Sequence, residues 1–358
     1  MADRRTLLKG LVAAAVLPVR GWAAAGAPDW VAAARAADGS YSLHGIDAAG
    51  GIVFSVPMPD RGHAAAAHPY RAEAVAFARR PGLFGLVIDC RSGDVIRRLS
   101  PPEARHFNGH GAFSADGALL YTSEVVAEGS AGRVGIWDVK AGYRRVGEWD
   151  SFGIGPHELR LLPDGGIVVA NGGIETDPAD RTKLNLDRMR PNLAILDTGG
   201  GLVSRRELPS GLAQNSIRHL ALLPDGVGFA MQWQGSEGEA VPLLGIARGD
   251  SALQAYAPAP GQEYAMRGYA GSIAATGGMI ALTSPRGGVA MIHDADGGHL
   301  ATLNRADICG AAARDGSGFA LTDGGGAIWA ADPDGLTLLA RHDLSWDNHL
   351  VRISKLTG

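Results

Sequence analysis

Two cysteines, Cys90 and Cys309, are the whole thiol complement of this 358-residue chain. That excludes a disulfide scaffold and any Cys-x-x-Cys metal or haem motif. The repeat phase set out below puts them on strands of different units, and bridged Cα atoms must lie within about 7 Å. Two free thiols are therefore expected. Aromatic residues make up only 6%, and the formal charge of −4 leaves no basic footprint for nucleic acid. No apolar run approaches the roughly 20 residues of a membrane span, and no long 3.6-residue period persists beyond the first residues. A Walker loop, a His-Glu-x-x-His pair and a serine in a nucleophile elbow are also missing, which leaves the common hydrolase and nucleotide-binding readings without support.

Glycine, at 52 residues, is what the chain has in quantity, and that suits many tight turns rather than long helices. Residues 1–27 read as an address. Arg4-Arg5 precede an apolar run from Leu11 to Leu17, and Ala23-Ala24-Ala25-Gly26-Ala27 offers an Ala-x-Ala cleavage site. A twin-arginine leader implies export in the folded state to the periplasm, a route often used when a cofactor or metal is loaded beforehand. Residues 28–358 are then expected to form one domain, more acidic than the full chain because Arg4, Arg5, Lys9 and Arg20 leave with Asp3.

A strand ending in Asp, followed by a glycine-containing turn, recurs at Asp47, Asp89, Asp138, Asp197, Asp294 and Asp332, and Leu244–Gly249 fills the long gap as a degenerate copy. In the clearest unit the strands read Gly111–Phe113, Leu119–Thr122, Val134–Trp137 and Tyr143–Glu148. Seven such units predict an all-β, seven-bladed β-propeller with four antiparallel strands per blade, six or eight blades being the other counts. The first unit offers only three strands, and His349–Ile353 looks like an innermost strand with none following. Pairing the two would close the ring and remove its open edges. Residues 175–190 interrupt blade 4 as an insertion long enough to be functional or mobile, or else a surface ornament.

Aligned on these turns, the innermost strands carry His110 and His219 six residues before Asp116 and Asp225, and His63 six before Pro69. Cys309 stands six before Asp315, Glu158 six before Asp164, with His157 beside it, and His349 opens the last strand. Eleven histidines in 358 residues would put less than one at seven equivalent positions by chance. Innermost strands line the axis, so these imidazoles should converge. A transition-metal site held by His63, His110, His157, His219 and His349 is expected, with Glu158 and Cys309 as auxiliary groups. A ring of protonatable groups holding an anion, or solvated polar packing, are the competing readings. Loops after the second strands should rim the same mouth, bringing Arg80, Glu124, Asn171, Trp233 and Arg286 to a ligand or partner; the arginines would suit an anion or a carboxylate.

The twin-arginine leader, Asn108-Gly109-His110-Gly111, Gly155-Pro156-His157-Glu158-Leu159-Arg160, Asn171-Gly172-Gly173-Ile174, Ser216-Ile217-Arg218-His219 and Thr283-Ser284-Pro285-Arg286-Gly287-Gly288 together resemble a bacterial family of exported propellers, domain of unknown function 1513. The likeness spans nearly all of the chain after the leader. Members often neighbour imelysin-like iron-uptake proteins, which implies a role in periplasmic iron handling, iron as the favoured metal with copper and zinc behind it, and an imelysin-like partner. It implies no established activity. A looser likeness to carotenoid cleavage oxygenases, propellers with axial histidines on iron, lends the coordination idea but not the reaction. A monomeric, metal-binding periplasmic propeller is thus expected, redox chemistry left open. The competing expectation is a metal-free platform that docks an iron-uptake protein.

Overall fold

A computed structural model describes residues 21–79, 82–180 and 182–353. These form seven four-stranded antiparallel sheets, each in simple up-and-down order. Blade 1 joins the last strand, Leu344–Arg352, to Trp30–Ala36, Tyr41–Ile46 and Ile52–Met58, in the register Trp30↔Arg352 and Val31↔Val351. The ring is therefore closed by its two ends, as expected, and no open edge remains between first and last blades.

The recurring Asp is what turns the chain between third and fourth strands. In Asp47, Asp197 and Asp294 one carboxylate oxygen accepts the backbone N–H groups two and four residues on, at 2.7–2.9 Å. Three residues after each Asp sits a glycine with φ between +84° and +88°, a conformation that costs a side-chain-bearing residue free energy. Between blades, alternate strand residues interlock into apolar clusters. Phe77, Phe107 and Trp137 meet between blades 2 and 3, and Ile217, Phe229 and Val168 between blades 4 and 5. Both cysteines are buried and unpaired.

The innermost strands are Gly62–Ala67, Arg105–Phe113, Pro156–Leu161, Asn215–Leu223, Ser272–Thr276, Ile308–Ala313 and Leu344–Arg352. Three are longer than their sequence implies. His110 is the sixth residue of Arg105–Phe113, His219 the fifth of Asn215–Leu223 and His349 the sixth of Leu344–Arg352, so none opens its strand. Residues 1–20 of the expected leader lie outside the described residues. The following Gly21–Ala25 forms a 3-10 turn whose Trp22 is buried, its indole N–H donating to the His68 carbonyl at 2.8 Å. Among the described residues no helix is long and apolar enough to cross a membrane.

Burial away from the axis predicts a pH dependence. Desolvation lowers the pKa of His44 and of His293 from the ordinary 6.5 to about 4. The unfolded chain therefore takes up protons first, so stability is intact above about pH 6.5 and is lost as pH falls toward 4. Thermal melts of the metal-free protein should fall in midpoint across that window. Replacing both histidines by glutamine should flatten the decline; an unchanged slope would refute the assignment.

Candidate metal centre on the propeller axis

Six of the seven innermost strands break register against their neighbours, at His63, Asn108–His110, His157–Glu158, Arg218, Cys309–Gly310 and Asp347–His349. Ser272–Thr276, which contributes no histidine or cysteine, pairs residue for residue. A β-bulge inserts an unpaired residue and re-aims its side chain. Here four of the bulges contain a histidine, and the blade 5 bulge, at Arg218, directly precedes His219. The bulges around His110 and His349 are the deepest: the step from Phe107 to Gly111 faces only that from Glu124 to Thr122, and the step from Trp346 to Leu350 only that from Ala34 to Ala32. Gly109 within the first has φ +89°, and a Cβ there would stand 2.3 Å from the His63 ring. Glycine is what lets blade 3 come that close.

The five rings form one cluster. His63, His157, His219 and His349 make a circuit with centroid separations of 5.6, 4.7, 4.7 and 4.6 Å. His110 touches all four, at 5.0, 4.9, 5.6 and 4.8 Å. His63, His110 and His157 bring ligand atoms within 4.8 Å of one another, as do His110, His219 and His349. Either group could hold a metal ion, and His110 belongs to both. Four of the five are buried, and His63 is half-buried.

The protonation state suits ligation. Burial, reinforced by neighbouring imidazoles, holds His110, His157 and His349 well below the ordinary histidine pKa, so all three are neutral. Their Nε2, Nδ1 and Nε2 atoms, respectively, are buried without a hydrogen-bond partner. Such orphaned nitrogens cost free energy in a core and fit a metal-binding role. Glu158 orients the fourth ring. Its Oε2 accepts from His219 Nδ1 and from the Leu220 backbone N–H, each at 3.2 Å, while Oε1 lies 2.7 Å from Arg160 Nε. Burial alone would raise the Glu158 carboxyl, but Arg160 and His219 outweigh it and bring its pKa down to about 2. The ionised carboxylate can only accept, so His219 carries a proton on Nδ1, which leaves Nε2 as the nitrogen open to a metal.

Two cavities flank the cluster. On the side where the innermost strands begin, an open cleft of about 690 Å3 is walled by His106, Asn108, Ser130, His157 and Arg218 together with Thr176 and Asp177 of the insertion. Further along the axis a polar channel of about 370 Å3 runs past His110, His349, Glu158 and Arg160. The insertion is well pinned: Asn185 donates to the Gly173 carbonyl at 2.9 Å, Thr176 N–H donates to Ser130 Oγ at 3.0 Å, and Lys183 reaches Gln234 at 2.6 Å.

Several expected site residues stand elsewhere. Glu124 does not rim the mouth: its strand continues to Val126, and the carboxylate is fully enclosed, taking hydrogen bonds from Thr122 at 2.6 Å and Arg145 at 2.6 and 2.9 Å. Asn171 is likewise enclosed, bonding Ser151 and Asn192. Glu124 ties strands within blade 3, and Asn171 ties blade 4 to Ser151 of blade 3. Trp233 packs partly buried against the blade 5–6 core and donates to the Ser236 carbonyl, while Arg286 lies 4.4 Å over the Tyr269 ring. Arg80 lies outside the described residues. Cys309 shares the histidine phase but not the cluster. Its Sγ lies 3.4 Å from the Asp347 carbonyl and 3.5 Å from that of Thr322, and burial pushes the thiol up to about 12, leaving a protonated donor. Arg160, Arg218 and His106 were not singled out from sequence. Arg160 follows Glu158 by two, the spacing that puts strand side chains on one face, and Arg218 directly precedes His219.

The fold and this cluster define a class: a seven-bladed propeller with a histidine centre on its axis. Residues 56–353 match the family described as "Protein of unknown function (DUF1513)", and the chain belongs to that family. No curated protein matches the sequence. Among solved structures it is similar to U3-55K, with 12% identity and a TM-score of 0.56 over 79% of this chain and 82% of that one. A chain of a mitotic checkpoint complex matches at 12% and 0.56, over 77% of each. The WD40 repeats of RRP9 match at 13% and 0.53, over 85% and 87%. Identities this low carry the propeller fold alone.

Proposed function

We propose that the chain is an exported periplasmic protein that binds one transition-metal ion on its axial histidines, iron first among the candidates and copper and zinc behind it. The observation that supports this most is the convergence of five imidazoles from five blades, four of them within a bulge of their strand and His219 directly after one. Neutral imidazole suits borderline metals such as Fe, Cu and Zn, and a carboxylate behind one ring is the usual support for such ligands. His110 would be held in common whichever three-histidine group binds. A bound ion would supply Lewis acidity or electron transfer; the protein's own part is to hold imidazole donors in a prearranged cage. The Arg4-Arg5 leader and the family resemblance support export and iron handling, with an imelysin-like protein as the partner.

Metal analysis of the exported protein, purified without chelators, tests this. Roughly one ion per chain is expected, released by a strong chelator and restored on reloading. A folded protein that neither carries nor takes up metal would refute the proposal and leave a platform that docks an iron-uptake protein.

A further inference from the structure

The histidine cluster has no charge of its own to set against a metal ion. Imidazole ligates a metal as a neutral donor, and Glu158, the carboxylate bonded to the cluster, is already matched by Arg160 at 2.7 Å. A divalent or trivalent ion placed there would be a buried, uncompensated charge, which is unfavourable unless an anion accompanies it. The cleft beside the cluster has the features such an anion needs. Arg218 is 7% exposed and lines the cleft together with His157. His157, itself only 6% exposed, forms the cleft wall and carries the buried, partnerless Nδ1. Asn108 and Ser130 line the same wall.

Resting on the metal reading above, we propose that this cleft takes a small carboxylate anion that bridges Arg218 and a metal ion on the histidines. The guanidinium fork matches a carboxylate in two parallel hydrogen bonds, and the second carboxylate of a diacid would complete the metal's coordination from the open side. The blade 4 insertion then has a role: Thr176 and Asp177 close the cleft beside Ser130, to which Thr176 N–H donates. The protein would handle its metal as an anion-completed complex, and exchange would proceed by release of the anion.

Co2+ and oxalate are the probes. The Co2+-loaded protein should bind oxalate at least about tenfold more tightly than the metal-free protein in calorimetry, and oxalate should shift the visible Co2+ absorption. At matched Co2+ content, Arg218→Gln should lose about tenfold or more in oxalate affinity. Ala127→Tyr, which narrows the cleft from its half-buried rim without altering the arginine, should do the same; thermal melts establish that each variant is folded. Equal oxalate affinity with and without Co2+, or wild-type affinity in both folded variants, overturns the inference while leaving the metal site standing. A wild-type protein that takes up no Co2+ and no other transition metal overturns both.

Discussion

Replacing His110 by alanine should reduce bound metal from roughly one ion per chain to a few per cent of that, and lower affinity by more than about 100-fold. Loss of groups that merely support a ligand typically costs 10–100-fold, and His110 would itself be a ligand. Its place in the cluster makes the expectation sharper than for the other four. It touches every other ring within 5.6 Å and is shared by both three-histidine groups. Deleting His63 leaves the His110–His219–His349 group intact, and deleting His349 leaves His63–His110–His157, so each should retain part of the binding. Deleting His110 breaks both. The fold should survive: the ring donates nothing that holds the blade, since the blade-facing bond at this residue is its carbonyl, which accepts from Ser123 Oγ at 3.2 Å. An alanine also removes a buried nitrogen that has no partner. Metal content by mass spectrometry, with a melt of each metal-free variant, checks the pattern. Full metal content in the folded His110 variant would refute the site.

The seven-fold repeat was legible because its signals are local. An Asp that caps its own turn and a glycine at positive φ three residues on need nothing from the rest of the molecule, so they recur in sequence as they recur in space. The histidine phase was legible for a related reason: six residues back from a fixed turn is a fixed height on the axis. What sequence could not show is the bulges. They add residues to one strand only, so His110 and His349 stand mid-strand although counting from the turn, or from the chain's end, put them at strand starts. The same limit misplaced Glu124. Alternation ends visibly at Thr122, but the strand runs on to Val126, and the carboxylate turns inward to an arginine, Arg145, that lies on the next strand but one. Cys309 shows the opposite failure, a position in phase whose sulfur is drawn to carbonyls between blades 7 and 1 rather than to the axis.

Glu158→Gln separates an orienting role from a structural one. The carboxylate fixes the His219 tautomer from behind, accepts the Leu220 N–H, and balances Arg160 in the axial channel. Glutamine keeps the size and one acceptor oxygen but is neutral, and it can offer an N–H where His219 Nδ1–H now donates. Turned that way, it would favour the imidazole with its proton on Nε2, the nitrogen that should face the metal. Metal affinity is therefore expected to fall by about 10–100-fold. Removing the charge also strips Arg160 of its partner. Breaking a fully buried pair this way costs about 3–5 kcal/mol; because the Arg160 side chain is 42% exposed and can turn to water, a loss nearer 1–2 kcal/mol is expected here. Two measurements on one variant distinguish the effects. If Glu158 only supported the fold, pairing the substitution with Arg160→Gln, which removes the orphaned cation, would restore stability and metal affinity together. If it orients His219, that double variant should regain stability while its metal affinity stays low. Recovery of both would refute the orienting role.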